Sequence, residues 1–329
     1  MKTVDTLIHA RWIVPVEPAG VLYEHHSLAV NQGRIVDLLP AEQARAAYRA
    51  GIDHELDSHL LMPGLVNAHT HAAMSLLRGL ADDLPLNEWL NEHIWPAESR
   101  WVNEEFVHDG TQLAIAEMLR SGTTCFNDMY FYPDITARVA ASCGMRACVG
   151  LIVIDFPTVW AKDAGEYISK GLAVHDRFRG DSLVQTVFAP HAPYTVSDQP
   201  LEHIRTLADE MDIGIHMHIH ETAEEVERAV ELTGKRPLQR LEELGLLTPA
   251  LMAVHMTQLG EGEIRRFADS GAHVVHCPES NLKLASGFCP AATLAAAGIN
   301  IALGTDGAAS NNDLDMIGEM RTAALLGKA

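Results

Sequence analysis

The rhythm of apolar and polar positions changes near residue 61 of this chain. Before it, short alternating runs at 6–13, 27–31 and 34–39 predict strands, the last two joined by Gln32-Gly33. Residues 1–60 therefore read as part of a small β-domain. After it the pattern becomes strand, loop, helix, repeated. Near-continuous apolar runs, as expected of strands buried on both faces, predict strands at 61–68, 123–128, 146–154, 183–189, 214–218, 252–255, 273–276 and 300–303. An apolar stripe over 104–121 predicts a helix stopped by Gly122, and Thr222-Ala223-Glu224-Glu225 reads as a capping box opening a helix that ends near Gly234. Repeated strand-helix units predict an α/β fold, a TIM-like (β/α)8 barrel over 61–329, whose site belongs at the C-terminal ends of the strands. The strands of 1–60 are expected to be one part of a small β-sandwich. No further strands follow the barrel pattern, so the chain is expected to be truncated after strand eight.

Candidate chemistry clusters at those strand ends. His69 and His71 follow the turn Pro63-Gly64, and side chains two apart on a strand point the same way. In a chain with 18 His such a pair is weak evidence alone. It gains weight from His191 after strand four, His218 on five, His255 on six and Asp306 after eight. Divalent cations such as zinc take imidazole and carboxylate donors, and a catalytic site leaves one position open for water. His69, His71, His218 and Asp306 form such a donor set. On strand five, His216, His218 and His220 alternate and can all face inward. The three-residue step from His218 to Glu221 leaves Glu221 free to reach the attacking water without being a ligand, which favours His218 over His220. Asp306 lies between glycines in Leu303-Gly304-Thr305-Asp306-Gly307.

Composition narrows the function classes. The net charge of −20 argues against nucleic acid or an anionic membrane as partner, since both select basic patches. The hydrophobic fraction of 47% with 21% charged residues is that of a globular protein. The five cysteines form no Cys-x-x-Cys pair and read as reduced thiols in a cytoplasmic protein. No N-terminal charged segment precedes an apolar core, and no apolar run reaches the ~18 residues that span a bilayer. Arg179-Gly180-Asp181 is taken as coincidence. No Gly-x-Gly-x-x-Gly follows a predicted strand, which disfavours a dinucleotide-binding oxidoreductase.

Taken together, Pro63–His71, Trp89–Glu98, His191-Ala192-Pro193-Tyr194, His218-Ile219-His220-Glu221-Thr222, Val254-His255, Cys277-Pro278-Glu279-Ser280-Asn281 and Gly304-Thr305-Asp306-Gly307 resemble the amidohydrolase superfamily. The similarity is to the branch of 5-methylthioadenosine/S-adenosylhomocysteine deaminases and related triazine hydrolases, and it spans about residues 55 to 320. The resemblance implies one divalent metal per chain, zinc or else iron, at His69, His71, His218 and Asp306. It implies Glu221 as proton shuttle, His255 beside the attacking water, Glu98 on the ribose hydroxyls and His191 on the purine ring. Glu98 is expected in a long loop after strand one, over the barrel mouth. The implied reaction is hydrolytic deamination of an adenine nucleoside, acting on the C–N bond of a cyclic amidine. The expected enzyme is a cytoplasmic homo-oligomer. One stretch departs from the family: where some members bind a homocysteine carboxylate through arginines after strand three, residues 150–160 contain none. That favours an apolar 5′-methylthio group over S-adenosylhomocysteine, with adenosine also open. The alternatives are a deaminase or chlorohydrolase acting on guanine, an oxidised purine or an s-triazine, and a metal-free barrel with no activity.

Overall fold

The computed structural model describes residues 1–328, which divide into two compact units, one of Met1–Gly64 and one from Leu65 onward. The first unit is a four-stranded sheet of β1 (Lys2–Ile13), β2 (Tyr23–Asn31), β3 (Arg34–Pro40) and β4 (Tyr48–Leu61), in the order β3-β2-β1-β4. β2 and β3 form a hairpin whose two turn residues, Gln32 and Gly33, both have positive φ (51° and 72°). That is the backbone a two-residue turn needs to match the twist of its strands. β4 pairs parallel to β1, with a seven-residue helix, Ala41–Ala47, making the crossover. Val4, Leu7, Ala29, Ala44 and Tyr48 are the core of this unit. β4 is absent from the sequence-based expectation because its pattern is polar: Tyr48 is its one buried residue, and pairing with β1 rather than an apolar face makes it a strand. A second sandwich layer is not among the described residues.

The second unit contains eight parallel strands in sequence order: β5 (Leu65–Thr70), β6 (Thr123–Met129), β7 (Arg146–Val153), β8 (Val184–Pro190), β9 (Ile215–Ile219), β10 (Leu251–His255), β11 (His273–His276) and β12 (Ile301–Leu303). Helices connect most of them, which makes the expected barrel. Its ends meet where Asp306 N–H donates to the His69 carbonyl (3.0 Å) and where Asn67 exchanges hydrogen bonds with Thr305 (2.7 and 3.0 Å). Gly304 permits that closure, because a Cβ there would lie 2.7 Å from the His69 backbone nitrogen. The first barrel strand was expected from residue 61. It begins at Leu65, because Leu61 belongs to β4 and Pro63-Gly64 interrupts the strand.

Two helices show how local sequence sets the boundaries. Glu104–Arg120 starts where the Asn103 side chain accepts from Phe106 N–H, buries Val107, Ala114, Ile115 and Met118, and stops before Gly122, whose φ is +91°. Ala223–Thr233 is capped by Thr222, which accepts from Glu225 N–H. The expected reciprocal contact takes a different form: the Glu225 carboxylate accepts from the N–H groups of His220 (3.2 Å) and Glu221 (2.7 Å). It therefore fixes the backbone at the end of β9.

Candidate active site

The donor atoms of four side chains converge at the C-terminal ends of β5, β9 and β12. His218 Nε2 lies 3.1 Å from His69 Nε2, and Asp306 Oδ1 lies 3.3 Å from His69 Nε2 and 3.2 Å from His71 Nε2. Ligands about 2.1 Å from one tetrahedral ion stand roughly 3.4 Å from each other, so these spacings fit a shared divalent cation. The outer nitrogens agree. His71 Nδ1 faces the Met129 carbonyl, and His218 Nδ1 is 2.8 Å from the His191 carbonyl. A carbonyl can only accept, so each Nδ1 is the donor to it, and Nε2 is the nitrogen left to bind a cation. Asp306 is held from both sides, accepting from the Ser280 hydroxyl (2.6 Å) and from Gly307 N–H (2.8 Å).

Charge at this centre is finely divided. Burial pulls His69 down to about 4. Burial acts the same way on His71, but the hydrogen bond and charge of Asp306 outweigh it and raise His71 to about 9. Despite its own burial, Asp306 lies well below the usual carboxylate range because both histidines stabilise its anion. A cation taking this site must displace the proton from His71.

Beside the cluster, His255 Nδ1 is 2.8 Å from Asn281 Oδ1, and its Nε2 is 3.6 Å from Glu221 Oε2. Glu221 is buried, which raises its pKa, and its Oε1 is 3.4 Å from the Ser286 hydroxyl. The three histidines of β9 and its end separate cleanly. His218 reaches the centre. His220, at φ +54°, turns away and ties two segments together, with Nδ1 3.0 Å from the Gln258 carbonyl and Nε2 accepting from Leu238 N–H (3.1 Å). His216 lies behind the cluster, its Nε2 3.0 Å from His69 Nδ1.

The cluster opens into a partly enclosed cleft. Glu98 lines it, together with His191, Tyr130 and an apolar wall that includes Trp89, Trp95, Ile152 and Ile154. Glu98 is on a helix, Trp95–Trp101, and not in a loop as expected; the segment 86–94 before it is also helical, in short turns. Burial, relieved in part by a hydrogen bond from Tyr130 (2.7 Å), pushes Glu98 up to about 7. His191 Nδ1 is 3.0 Å from the Thr195 hydroxyl, and burial lowers the ring to about 3, so it is neutral at physiological pH. Among the described residues no Lys or Arg lines the cleft. Phe156, in the stretch lacking arginine, packs edge-on against Trp95 at 5.5 Å.

Tyr130, Asn281, Ser280, Ser286 and the position of His216 behind His69 are not among the sites the sequence predicts. Tyr130 carried one usable signal, because it is the first residue after β6 and barrel sites use strand ends. Asn281 and Ser280 lay in a motif recognised only by resemblance.

The amidohydrolase family matches residues 60–328. A 5-methylthioadenosine/S-adenosylhomocysteine deaminase of Saccharophagus degradans is 57% identical over 326 residues, covering 98% of this chain and 73% of that protein. The zinc-bound crystal structure of an adenosine deaminase from Xanthomonas campestris superposes with a TM-score of 0.98 at 55% identity, over 99% of this chain and 74% of that one. Zinc-bound atrazine chlorohydrolase from Arthrobacter aurescens, at 20% identity and TM-score 0.89 over 98% of this chain and 76% of that one, shares the fold. With its barrel, its converging histidines and a family match over most of its length, the chain belongs to the amidohydrolase family of metal-dependent hydrolases.

Proposed function

We propose that this chain is a hydrolytic deaminase of adenine nucleosides with a small apolar 5′ group, 5′-methylthioadenosine first among them. Water enters, ammonia leaves, and the product is the inosine-type nucleoside. The observation that carries this reading is the composition of one cleft: a polar donor cluster flanked by Glu221 and His255, and Glu98 in the same wall, with no Lys or Arg among the described lining residues.

In this reading His69, His71, His218 and Asp306 hold one divalent cation per chain, zinc before iron. When bound, the cation lowers the pKa of a water toward neutrality and so makes it a nucleophile. Glu221 gives its proton to the ring nitrogen beside the amino-bearing carbon, and burial has already raised its pKa toward that task. His255, its Nδ1 held by Asn281, accepts a hydrogen bond from the attacking water on Nε2 and orients it with Asp306. One proton of the water passes through Glu221 to the departing amine, which leaves as ammonia, and the other, released as the carbonyl forms, restores the proton that Glu221 gave to the ring nitrogen. His191 is neutral and so offers the purine a hydrogen bond without a competing charge. Glu98 accepts from the ribose hydroxyls.

The 57%-identical relative is named for both 5-methylthioadenosine and S-adenosylhomocysteine, and the cleft supports the first. The zwitterionic end of S-adenosylhomocysteine would face Trp, Ile and Phe side chains with no cation to meet its carboxylate. Unmatched desolvation of a charged group disfavours binding. A chlorohydrolase or a deaminase of free bases would leave Glu98 without hydroxyls to bind. The test is ammonia release from adenosine, 5′-methylthioadenosine, S-adenosylhomocysteine, guanine and a melamine-type triazine, with metal analysis of the same sample. The expected order of kcat/KM is 5′-methylthioadenosine, adenosine, then S-adenosylhomocysteine, with neither guanine nor triazine turned over. A preference for guanine or the triazine refutes the reading. The same reading includes a cytoplasmic homo-oligomer, which fractionation and light scattering test.

A further inference from the structure

We infer that Tyr130 is a positioning residue for the sugar-binding carboxylate: its hydroxyl donates to Glu98 Oε1 and fixes the direction in which Glu98 presents its second oxygen. The inference rests on the reading of Glu98 as the ribose contact.

Glu98 and Tyr130 come from different segments, the helix Trp95–Trp101 and the residue following β6. Both are buried, at 7% and 4% exposure. A glutamate has three rotatable bonds, and in water the solvent would satisfy its oxygens in any rotamer. In this cleft no Lys or Arg lines the wall, and Tyr130 is the side chain that donates to Glu98 among the described residues. A buried carboxylate without a donor either turns aside or takes up a proton. With Tyr130 in place, Oε1 keeps one lone pair and Oε2 keeps both, enough to accept from two neighbouring hydroxyls of a cis-diol.

The tyrosine is itself held in register with the reacting centre. The carbonyl of Met129, the preceding residue, faces His71 Nδ1, and the Tyr130 ring centroid lies 6.5 Å from that of His71. The same short segment therefore orients a cluster histidine and the carboxylate. It sets the span between the carbon that is attacked and the sugar that anchors it.

The test compares Y130F and E98Q with the unmodified enzyme on 5′-methylthioadenosine and on its 2′,3′-dideoxy counterpart, with metal content and melting temperature recorded. Y130F is expected to raise KM for the ribonucleoside about 10-fold, the scale of one hydrogen bond to a charged group, with kcat held within roughly threefold. KM for the dideoxy compound should stay unchanged. E98Q should raise the ribonucleoside KM at least as much and also spare the dideoxy compound. If E98Q does so and Y130F leaves both KM values alone, the inference is overturned while the role of Glu98 stands. If E98Q weakens both substrates equally, the Glu98 reading fails and takes the inference with it. Equal losses on both substrates in Y130F, with a lowered melting temperature, would show a packing role and overturn positioning.

Discussion

Replacing Glu221 by Gln removes a proton carrier while leaving the shape of the site nearly intact. Gln has the same number of heavy atoms, and Glu221 is 5% exposed, so the cavity is filled as before. The backbone stays clamped, because Glu225 accepts from the Glu221 N–H at 2.7 Å whatever the side chain. The amide oxygen can still accept from Ser286 or from a water. What the amide cannot do is give a proton to the purine ring nitrogen and return one to the amine. A positioned general acid–base group contributes about 10²- to 10⁴-fold, or roughly 2.7 to 5.4 kcal/mol of barrier. The upper half of that range is expected here. Adenine's amino group leaves poorly until protonated, and Glu221 Oε2 lies 3.6 Å from His255 Nε2, on the side where the water is oriented. The assay is ammonia release at saturating 5′-methylthioadenosine, with metal content measured on the same preparation. A variant with full metal and kcat within tenfold of the parent refutes the assignment. A variant that loses its metal instead shows that Glu221 supports the donor cluster and not the chemistry.

Other outcomes follow from the same geometry. His220→Ala should keep turnover per bound metal but lose roughly 3 kcal/mol or more of stability in denaturant unfolding, because it opens a cavity and leaves the Leu238 N–H without its acceptor. Removing the cation with a chelator should abolish ammonia release and lower the melting temperature, and zinc should restore both, since a ligand bound only by the folded state stabilises it by mass action. Glu98, raised to about 7, is neutral below that pH and an anion above it, and the anion is the better acceptor for ribose. KM for the ribonucleoside should therefore fall as pH rises from 6 to 8, while KM for the dideoxy compound stays flat. Asn281→Ala should lower kcat about tenfold with metal unchanged, because His255 loses the partner that selects its tautomer; an unchanged kcat would show that the tautomer is set elsewhere.

The barrel was legible because its strands are buried on both faces, and burial writes itself as apolar runs such as Val184–Pro190. The end of β9 was legible for a different reason. The expectation that His218 and not His220 belongs with His69 came from the step to Glu221, and the structure puts His218 Nε2 beside His69 Nε2 while His220 leaves for Gln258 and Leu238. β4 was illegible because its polar alternation carries no apolar face and its conformation comes from a partner 46 positions earlier, as in Lys2↔Tyr48. The contacts of Tyr130, Asn281 and His216 were illegible for a related reason. Each matters through a contact with a residue far away in sequence, and a single sequence records no such distance.

The backbone at the strand ends shows how the fold turns side chains into a site. His220, His255, Met256 and Asp306 have positive φ, at 54°, 75°, 48° and 64°, although none is glycine. That region disfavours residues with a Cβ, so such a conformation persists only where surrounding contacts enforce it. The enforcing contacts are present. Thr257 N–H donates to the His220 carbonyl, Met256 N–H to the Ile219 carbonyl, and Asp306 N–H to the His69 carbonyl. Each turns the chain sharply as it leaves the barrel. At His255 and Asp306 the turn leaves the side chain at the cleft, and at His220 it directs the ring away from it. Neither Gly304 nor Gly307, the glycines on either side of Asp306, has a positive φ. Instead Asp306 adopts it, and Gly304 supplies the room that lets β12 close against His69. The stability lost in these turns is therefore tied to where the chemistry is, and relieving it at Asp306, for instance by Asp306→Gly, would remove the carboxylate that holds His69 and His71 in one cluster.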